Sequence, residues 1–253
     1  MIKSEIKKVS VAAGACPKGQ LFELLEELNL NMTSKNPHGT DKGGPKNYIR
    51  GFYESEFGGR KSTNNRLLEV GVRSGASLAL WANFFKHAKI IGVDVEPIGA
   101  LAGPLKKYVD YPSVTFFCKD AYGEEFASSL NGSFTIMIDD GPHSLSSQKR
   151  FLELYLSKLD KDGVLIIEDV QRAYRDSFQL MRMLAGNRFV FEIYDFRSQS
   201  GTGDDFLFVV RHNKSGKSYV SRKVYLTARC LLSWLLVPVR RIKPFLIRLW
   251  SKN

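Results

Sequence analysis

The chain has 253 residues, of which 43% are hydrophobic, and a formal net charge of +11. This length suits one α/β domain with additions, and the apolar content is sufficient for a hydrophobic core of ordinary size. Three scattered cysteines without C-x-x-C spacing argue against a disulfide framework or a thiolate zinc site. The first five residues contain no apolar signal core, so we expect a cytoplasmic protein.

The positive charge is concentrated at one end of the chain. Residues 206–253 contain eleven lysines and arginines and no acidic residue, whereas residues 1–205 carry 26 basic and 26 acidic residues. The neutral body lacks the basic groove expected of a nucleic-acid enzyme, so we predict no specific nucleic-acid partner.

Apolar runs predict a sheet of seven strands. A short amphipathic helix at 21–28 and an aromatic helix from Tyr48 to Phe57 precede the sheet. Helical stretches separate the earlier strands, which indicates parallel pairing, but the last two strands leave no room for a helix and are expected to pair antiparallel. The predicted strands lie at about 67–72, 90–95, 114–118, 134–138, 164–167, 189–194 and 206–210.

The first strand ends in a glycine turn, Glu69-Val70-Gly71-Val72-Arg73-Ser74-Gly75. Glycines let the backbone turn tightly and approach a ligand. Ser74 or Ser77 is predicted to cap the following helix. The glycine spacing departs from the G-x-G-x-x-G of dinucleotide sites. It resembles motif I of class I S-adenosylmethionine-dependent methyltransferases, with Arg73 in place of the middle glycine. A structural turn in another kind of α/β protein is the alternative.

Carboxylates follow four of the predicted strands. They are Asp94, Asp120, Asp139 with Asp140, and Glu168 with Asp169. Carboxyl ends of parallel strands share one edge of a sheet, so these groups should converge. Asp94, at the end of the second strand, suits hydrogen bonds to a ribose diol. Such a cluster requires a cation: the sulfonium of S-adenosylmethionine is one candidate and magnesium another.

His143 lies three residues after Asp140, in the sequence Asp140-Gly141-Pro142-His143. Its ordinary pKa near 6.5 fits a general base. A surface or helix-capping histidine is the structural alternative. Glu168 and Asp169 could likewise be solvated loop charges.

Together, the Asp140–His143 segment, Glu168-Asp169 and the Gly39-Thr40-Asp41-Lys42 loop resemble a group of metal-dependent sugar O-methyltransferases. This group includes macrolide-sugar and rhamnosyl O-methyltransferases and is related to cephalosporin hydroxylases. The resemblance implies that Asp140, Glu168 and Asp169 hold Mg²⁺, and that Asp140 and His143 are catalytic, with His143 taking the proton from a sugar hydroxyl. We predict contacts with S-adenosylmethionine from Thr40, Lys42, Glu69, Gly71, Arg73, Ser74, Asp94, Asp120 and Asp139.

The predicted fold class is therefore α/β: a Rossmann-like, seven-stranded methyltransferase sheet, mostly parallel with one antiparallel strand. We divide the chain into a helical N-terminal cover and lid (1–60), a class I methyltransferase domain (61–217) and a basic amphipathic tail (218–253). The predicted activity is Mg²⁺-dependent methylation of a sugar or glycan, with lipid-linked or cell-surface glycans included. Methylation of another vicinal diol, hydroxylase-like chemistry and a non-catalytic membrane-tethered binding module are the alternatives.

The tail alternates apolar residues with lysines and arginines. Its uninterrupted apolar run, from Cys230 to Val239, is half the length that a spanning helix needs. Apolar faces edged by cations and tryptophan suit a helix lying in a membrane interface, which predicts peripheral contact with the inner face of a membrane. The alternative is that the tail packs on the domain or on a second subunit, so the sequence is also compatible with a homo-oligomer.

Overall fold

The computed structural model describes residues 19–97, 112–184, 188–201 and 203–214. The predicted tail at 218–253 lies outside these residues, and the proposed domain boundaries stay predictions. In the part of the chain described, no helix is both long and apolar enough to cross a membrane.

The centre of the fold is a seven-stranded sheet in the order β3-β2-β1-β4-β5-β7-β6. Strand β7 runs antiparallel to both β5 and β6, and the other pairings are parallel. The predicted mixed sheet and its antiparallel final pair are confirmed. The strands are β1 Asn64–Val70, β2 His87–Asp94, β3 Val114–Cys118, β4 Phe134–Asp139, β5 Leu159–Ile167, β6 Phe189–Asp195 and β7 Phe206–His212.

Apolar side chains cover both faces of this sheet. Leu67 and Leu68 are adjacent in β1 and enter two different core clusters, as the alternation of side chains along a strand requires. The helices are α1 Gln20–Glu27, a π-helix Ile49–Tyr53 that continues into α2 Glu54–Gly58, α3 Ala76–Phe84, α4 Glu124–Ser129, α5 Leu145–Tyr155 with a 3₁₀ turn Leu156–Lys158, α6 Ala173–Met183 and α7 Arg197–Ser200.

The N-terminal helices and α3 pack on one face of the sheet, where Leu21, Phe52, Phe57 and Trp81 are almost completely buried. The second face packs α4, α5 and α6. This arrangement leaves the carboxyl ends of the central parallel strands at one edge of the sheet. Residues 28–48, which join α1 to the π-helix and form what we call the N-terminal segment, lie over this edge.

The predicted serine cap of α3 is wrong. Gly75 occupies the N-cap position with φ of +79°, and no side chain caps the helix. The Ser74 hydroxyl instead donates a hydrogen bond to the His38 carbonyl, which attaches the glycine turn to the N-terminal segment. Gly75 adopts its left-handed conformation without the steric cost that a Cβ would add.

Candidate active site

The glycine turn after β1 approaches the turn after β4 very closely. Gly71 has φ of +85°, and a Cβ at this position would lie 2.0 Å from the backbone oxygen of Asp140. Only glycine fits both the backbone conformation and the space. The turn therefore brings the predicted cofactor segment next to the predicted ion-binding segment.

Asp94 holds the glycine turn in place. Its Oδ2 accepts hydrogen bonds of 2.8 Å from the backbone amides of Val72 and Arg73, and its Oδ1 accepts one of 3.0 Å from the Glu96 amide. A carboxylate offers about four lone-pair positions, so room is left for a ligand hydroxyl. This clamp also helps Arg73 to hold a φ of +50°, which is unusual for a residue other than glycine.

A cavity of about 440 Å³ opens between the glycine turn and the strand ends. Six of the nine predicted cofactor residues line it: Thr40, Gly71, Arg73, Ser74, Asp94 and Asp120. Asp140 and His143 line the same cavity. Lys42, Glu69 and Asp139 are not in its wall; each has at most 2% of its surface exposed.

Asp140, His143 and Asp169 meet at one side of the cavity. One ligand atom from each lies within 4.8 Å of the others. The His143 Nε2 is 3.6 Å from Asp169 Oδ2 and 4.0 Å from Asp140 Oδ1. His143 and Asp169 have φ of +57° and +55°. Two non-glycine residues in this conformation cost stability and are typical of functional sites.

Lys42 lies behind Asp140, with 1% of its surface exposed. Its Nζ is 2.6 Å from Asp140 Oδ2, 2.8 Å from Glu168 Oε2 and 3.6 Å from Glu69 Oε1. Burial opposes a charged ammonium, but the surrounding carboxylates outweigh it and raise the pKa of Lys42 well above its usual value. Lys42 is therefore a permanent cation inside the protein.

The same N-terminal segment neutralises Asp169. Lys46 Nζ forms an ion pair with Asp169 Oδ2 and lies 2.9 Å from Asp41 Oδ2. The Tyr48 hydroxyl donates a 2.7 Å hydrogen bond to Asp169 Oδ1. Because Lys46 retains 16% side-chain exposure, this ion pair is more accessible to solvent than that of Lys42.

Glu168 is more enclosed than Asp169. The Tyr53 hydroxyl donates to its Oε1, and Lys42 occupies its Oε2. Burial raises the pKa of Glu168 to about 8, and that of Glu69 to about 7, although Lys42 opposes both shifts. Glu168, a predicted metal ligand, thus contacts Lys42 on the buried side of Asp140. It does not belong to the group of close ligand atoms formed by Asp140, His143 and Asp169.

The donor chemistry of this centre fits a hard divalent cation. The carboxyl groups of Glu69, Asp140, Glu168 and Asp169 face the ammonium groups of Lys42 and Lys46, and together they form the acidic centre. A further cation at this centre would favour the ionised form of the buried carboxyl groups. Mg²⁺ is commonly bound by one or two carboxylates, with its other positions filled by water or substrate oxygens. Asp140 and Asp169 supply such a pair at the cavity.

Asp139 lies next to Gly141, in the turn that leads to His143. Its Oδ1 accepts a 2.5 Å hydrogen bond from the Tyr122 hydroxyl. Burial raises the pKa of Asp139 to about 7, with the Tyr122 hydrogen bond acting in the opposite direction. The Asp139 side chain therefore binds Tyr122 beside the cavity and does not form part of the cavity wall.

Two tyrosines of the site were predicted only as members of an aromatic helix. Tyr48 and Tyr53 are five residues apart, which in an α-helix would separate their side chains by roughly 140°. The π-helix Ile49–Tyr53 has i→i+5 hydrogen bonds and therefore more residues per turn than an α-helix. This wider turn brings the hydroxyls of Tyr48 and Tyr53 to the acidic centre. The sequence offered one indication of this role, because the hydroxyl of a buried tyrosine usually needs a polar partner.

Comparison with known proteins agrees with this geometry. Residues 68–170 match the family model described as a methyltransferase domain. Residues 68–170 therefore form a methyltransferase domain. The matched residues include the glycine turn, Asp94, Asp140, His143 and Asp169, so the predicted membership in this class is confirmed.

Curated relatives of this methyltransferase domain methylate sugars. A rhamnosyl-tetracenomycin-C 3'-O-methyltransferase of Streptomyces olivaceus is 27% identical over 144 residues, which cover 54% of this chain and 36% of the relative. Mycinamicin VI 2''-O-methyltransferase of Micromonospora griseorubida is 27% identical over 149 residues, covering 55% of this chain and 35% of the relative. The match thus spans about a third of each relative's length.

Solved structures show the same fold. The MycE methyltransferase of mycinamycin biosynthesis, solved with Mg and S-adenosylhomocysteine (SAH), superposes with a TM-score of 0.56 at 20% identity, covering 81% of this chain and 58% of that one. The SAH-bound methyltransferase PaMTH1 of Podospora anserina gives a TM-score of 0.51 at 18% identity, with 76% and 87% covered.

Proposed function

We propose that this protein transfers a methyl group from S-adenosylmethionine to a sugar hydroxyl, with the assistance of Mg²⁺. The observation that carries the proposal is the meeting of Asp140, His143 and Asp169 beside a cavity whose wall also includes the glycine turn. The sugar O-methyltransferases among the relatives support the substrate class.

The glycine turn and Asp94 are the proposed cofactor-binding elements. Gly71 brings the backbone close to the cavity, and the remaining lone pair of Asp94 Oδ1 suits a ribose hydroxyl. Asp120 follows β3 in the same wall and is exposed to the cavity. Thr40, Arg73 and Ser74 complete the part of the wall that we assign to S-adenosylmethionine.

Asp140 and Asp169 are the proposed ligands of Mg²⁺. When bound, the ion would supply a positive charge that orients neighbouring sugar oxygens and favours ionisation of the one that reacts. Lys46 would have to release Asp169 Oδ2 for full access to this carboxylate. Glu168 as a third ligand stays a prediction, and it requires Tyr53 or Lys42 to give up one of the Glu168 oxygens.

His143 is the proposed general base. It lines the cavity, and its Nε2 faces the carboxylates of Asp140 and Asp169. An imidazole that takes the proton of a sugar hydroxyl becomes positively charged, and these two carboxylates would stabilise that charge. The hydroxyl oxygen can then attack the methyl carbon in line with the departing sulfur. Alignment of the two reactants within the cavity is the remaining contribution of the protein.

Methylation of another vicinal diol, such as a catechol, uses the same groups and is the second candidate. A non-catalytic module is less well supported, because a binding protein has no need for a histidine held between two carboxylates. A role for residues 218–253 in contacting a membrane-borne acceptor belongs to the same proposal. A vesicle flotation assay of the full chain beside a 1–217 truncation tests it, and equal solubility of the two proteins would contradict it.

A titration with S-adenosylhomocysteine followed by an acceptor screen tests the activity. We expect binding with or without Mg²⁺, and methyl transfer from labelled S-adenosylmethionine to methyl α-L-rhamnoside or a rhamnosylated macrolide only with Mg²⁺. Full transfer in excess EDTA would contradict ion dependence, and transfer to catechol alone would favour the second candidate. Failure to bind S-adenosylhomocysteine would contradict the enzymatic proposal.

A further inference from the structure

Lys42 is an almost completely buried cation of the acidic centre, with 1% of its surface exposed. It belongs to the N-terminal segment, yet its ammonium reaches the ends of three strands: Glu69 in β1, Asp140 after β4 and Glu168 after β5. A lysine buried to this extent is rare unless its charge is paired. It does not line the cavity, so contact with the cofactor or acceptor does not explain it.

The contacts of Lys42 fall on one side of Asp140. Asp140 Oδ2 accepts from Lys42, whereas Asp140 Oδ1 is the oxygen nearest to His143 Nε2, at 4.0 Å. Fixing one oxygen of a planar carboxylate fixes the direction of the other. The same ammonium holds Glu168 Oε2 and leaves Oε1 to Tyr53.

Glu69 extends this network towards the helix that follows the glycine turn. Its Oε2 accepts a 3.0 Å hydrogen bond from Trp81 Nε1 in α3, and its Oε1 faces Lys42 at 3.6 Å without a hydrogen bond. Trp81 is itself completely buried in the core. Lys42 is therefore held against rigid parts of the fold. A residue that orients other side chains must itself be fixed in this way.

We propose that Lys42 is a positioning residue, which holds Asp140 from behind so that the other carboxylate oxygen faces a divalent ion shared with Asp169. The proposal rests on the proposed function, because it assumes that the centre binds such an ion. The two lysines of the N-terminal segment have different roles in this proposal. Lys42 is a fixed part of the site, and Lys46 is a more exposed partner of Asp169. Removal of groups that orient metal ligands typically weakens metal affinity by about 10- to 100-fold.

The test measures Mn²⁺ binding by electron paramagnetic resonance and S-adenosylhomocysteine binding by calorimetry, at one pH, on the full chain. We expect Lys42→Met to weaken Mn²⁺ binding by about 10- to 100-fold, and Lys42→Arg, which keeps the charge, to stay within about threefold of the natural protein. S-adenosylhomocysteine affinity measured without metal should stay within about twofold, since Lys42 is not in the cavity wall. Lys89→Met, at an exposed position of β2, is the matched control.

A double variant that replaces both members of one buried contact covers the case in which Lys42→Met fails to fold. Lys42→Met with Glu69→Gln replaces the ammonium and the carboxyl group that it faces at 3.6 Å by uncharged side chains, and it leaves Asp140 and Asp169 intact. It should fold, bind S-adenosylhomocysteine and still lose about tenfold or more in Mn²⁺ affinity. Natural Mn²⁺ affinity in either folded methionine variant would overturn the role of Lys42. A natural protein that binds S-adenosylhomocysteine but no Mn²⁺ would instead overturn the ion dependence on which the proposal rests.

Discussion

Gly71 and Asp140 belong to turns after neighbouring strands, and the space between them admits no side chain at residue 71. A Cβ on Gly71 would lie 2.0 Å from the Asp140 carbonyl oxygen and 2.4 Å from its carbonyl carbon. The turn of the cofactor motif and the backbone that presents Asp140 are thus fitted to one another. A change in one turn must displace the other.

The first prediction follows from this fit. Gly71→Ala should lower the free energy of unfolding by about 2 kcal/mol or more, because the new methyl group meets backbone and φ is +85°. It should also weaken both S-adenosylhomocysteine and Mn²⁺ binding. Chemical denaturation and calorimetry measure these effects. Gly58→Ala, where a Cβ would meet nothing within 4 Å, is the control. Equal stability of the two variants would contradict the close approach.

The second prediction concerns the base. His143→Asn keeps a residue that tolerates the left-handed backbone of this position, where φ is +57°. Turnover should fall by about 10²- to 10⁴-fold, because the proton acceptor is lost, while S-adenosylhomocysteine affinity changes little. Initial rates with an accepted sugar and calorimetry separate the two effects. His87→Asn, at an exposed position of β2, should behave as the natural protein. Natural turnover by His143→Asn would reassign the base.

The third prediction concerns the clamp on the glycine turn. Asp94→Asn leaves one oxygen for the three backbone amides that now share two, and it removes their charged acceptor. A hydrogen bond to a charged group contributes about 1.5 to 3 kcal/mol, so S-adenosylhomocysteine affinity should fall by about tenfold or more. Glu96→Gln, two residues away and exposed, is the control for the loss of charge. Unchanged affinity in Asp94→Asn would show that the clamp does not shape the pocket.

The fourth prediction uses the pKa of Glu69, which burial raises from 4.5 to about 7. The folded protein holds this proton over a range in which the unfolded chain has lost it, so the contribution of Glu69 to stability is present below pH 4.5 and is lost as pH rises through about 7. Glu69→Gln does not titrate. Its stability relative to the natural protein should therefore increase by up to about 3 kcal/mol between pH 4.5 and 8.

Denaturation at a series of pH values measures this difference. Exposed Glu125 of α4 provides the control, because Glu125→Gln removes the same charge from a solvated surface. A Glu69→Gln stability difference that is independent of pH, as expected for Glu125→Gln, would contradict the raised pKa of Glu69.

The sequence by itself determined the order of the strands along the chain and the type of domain. Strand β3 begins and ends at the predicted residues, because its apolar run is bounded by polar ones. Gly71, Asp94, Asp140 and His143 were identified from their positions after strands, since parallel strands bring their carboxyl ends to one edge of the sheet. These inferences need only local pattern and topology.

Only the tertiary structure decided which groups meet behind that edge. Lys42 is separated from Asp140 by 98 residues and from Glu168 by 126, and no local pattern predicts such an ion pair. The hydroxyls of Tyr48 and Tyr53 depend on a π-helix, which places both residues towards the acidic centre and has no simple sequence signature. The N-terminal segment therefore contributes charge and hydrogen bonds to the site, because the fold brings it over strand ends that are distant in the sequence.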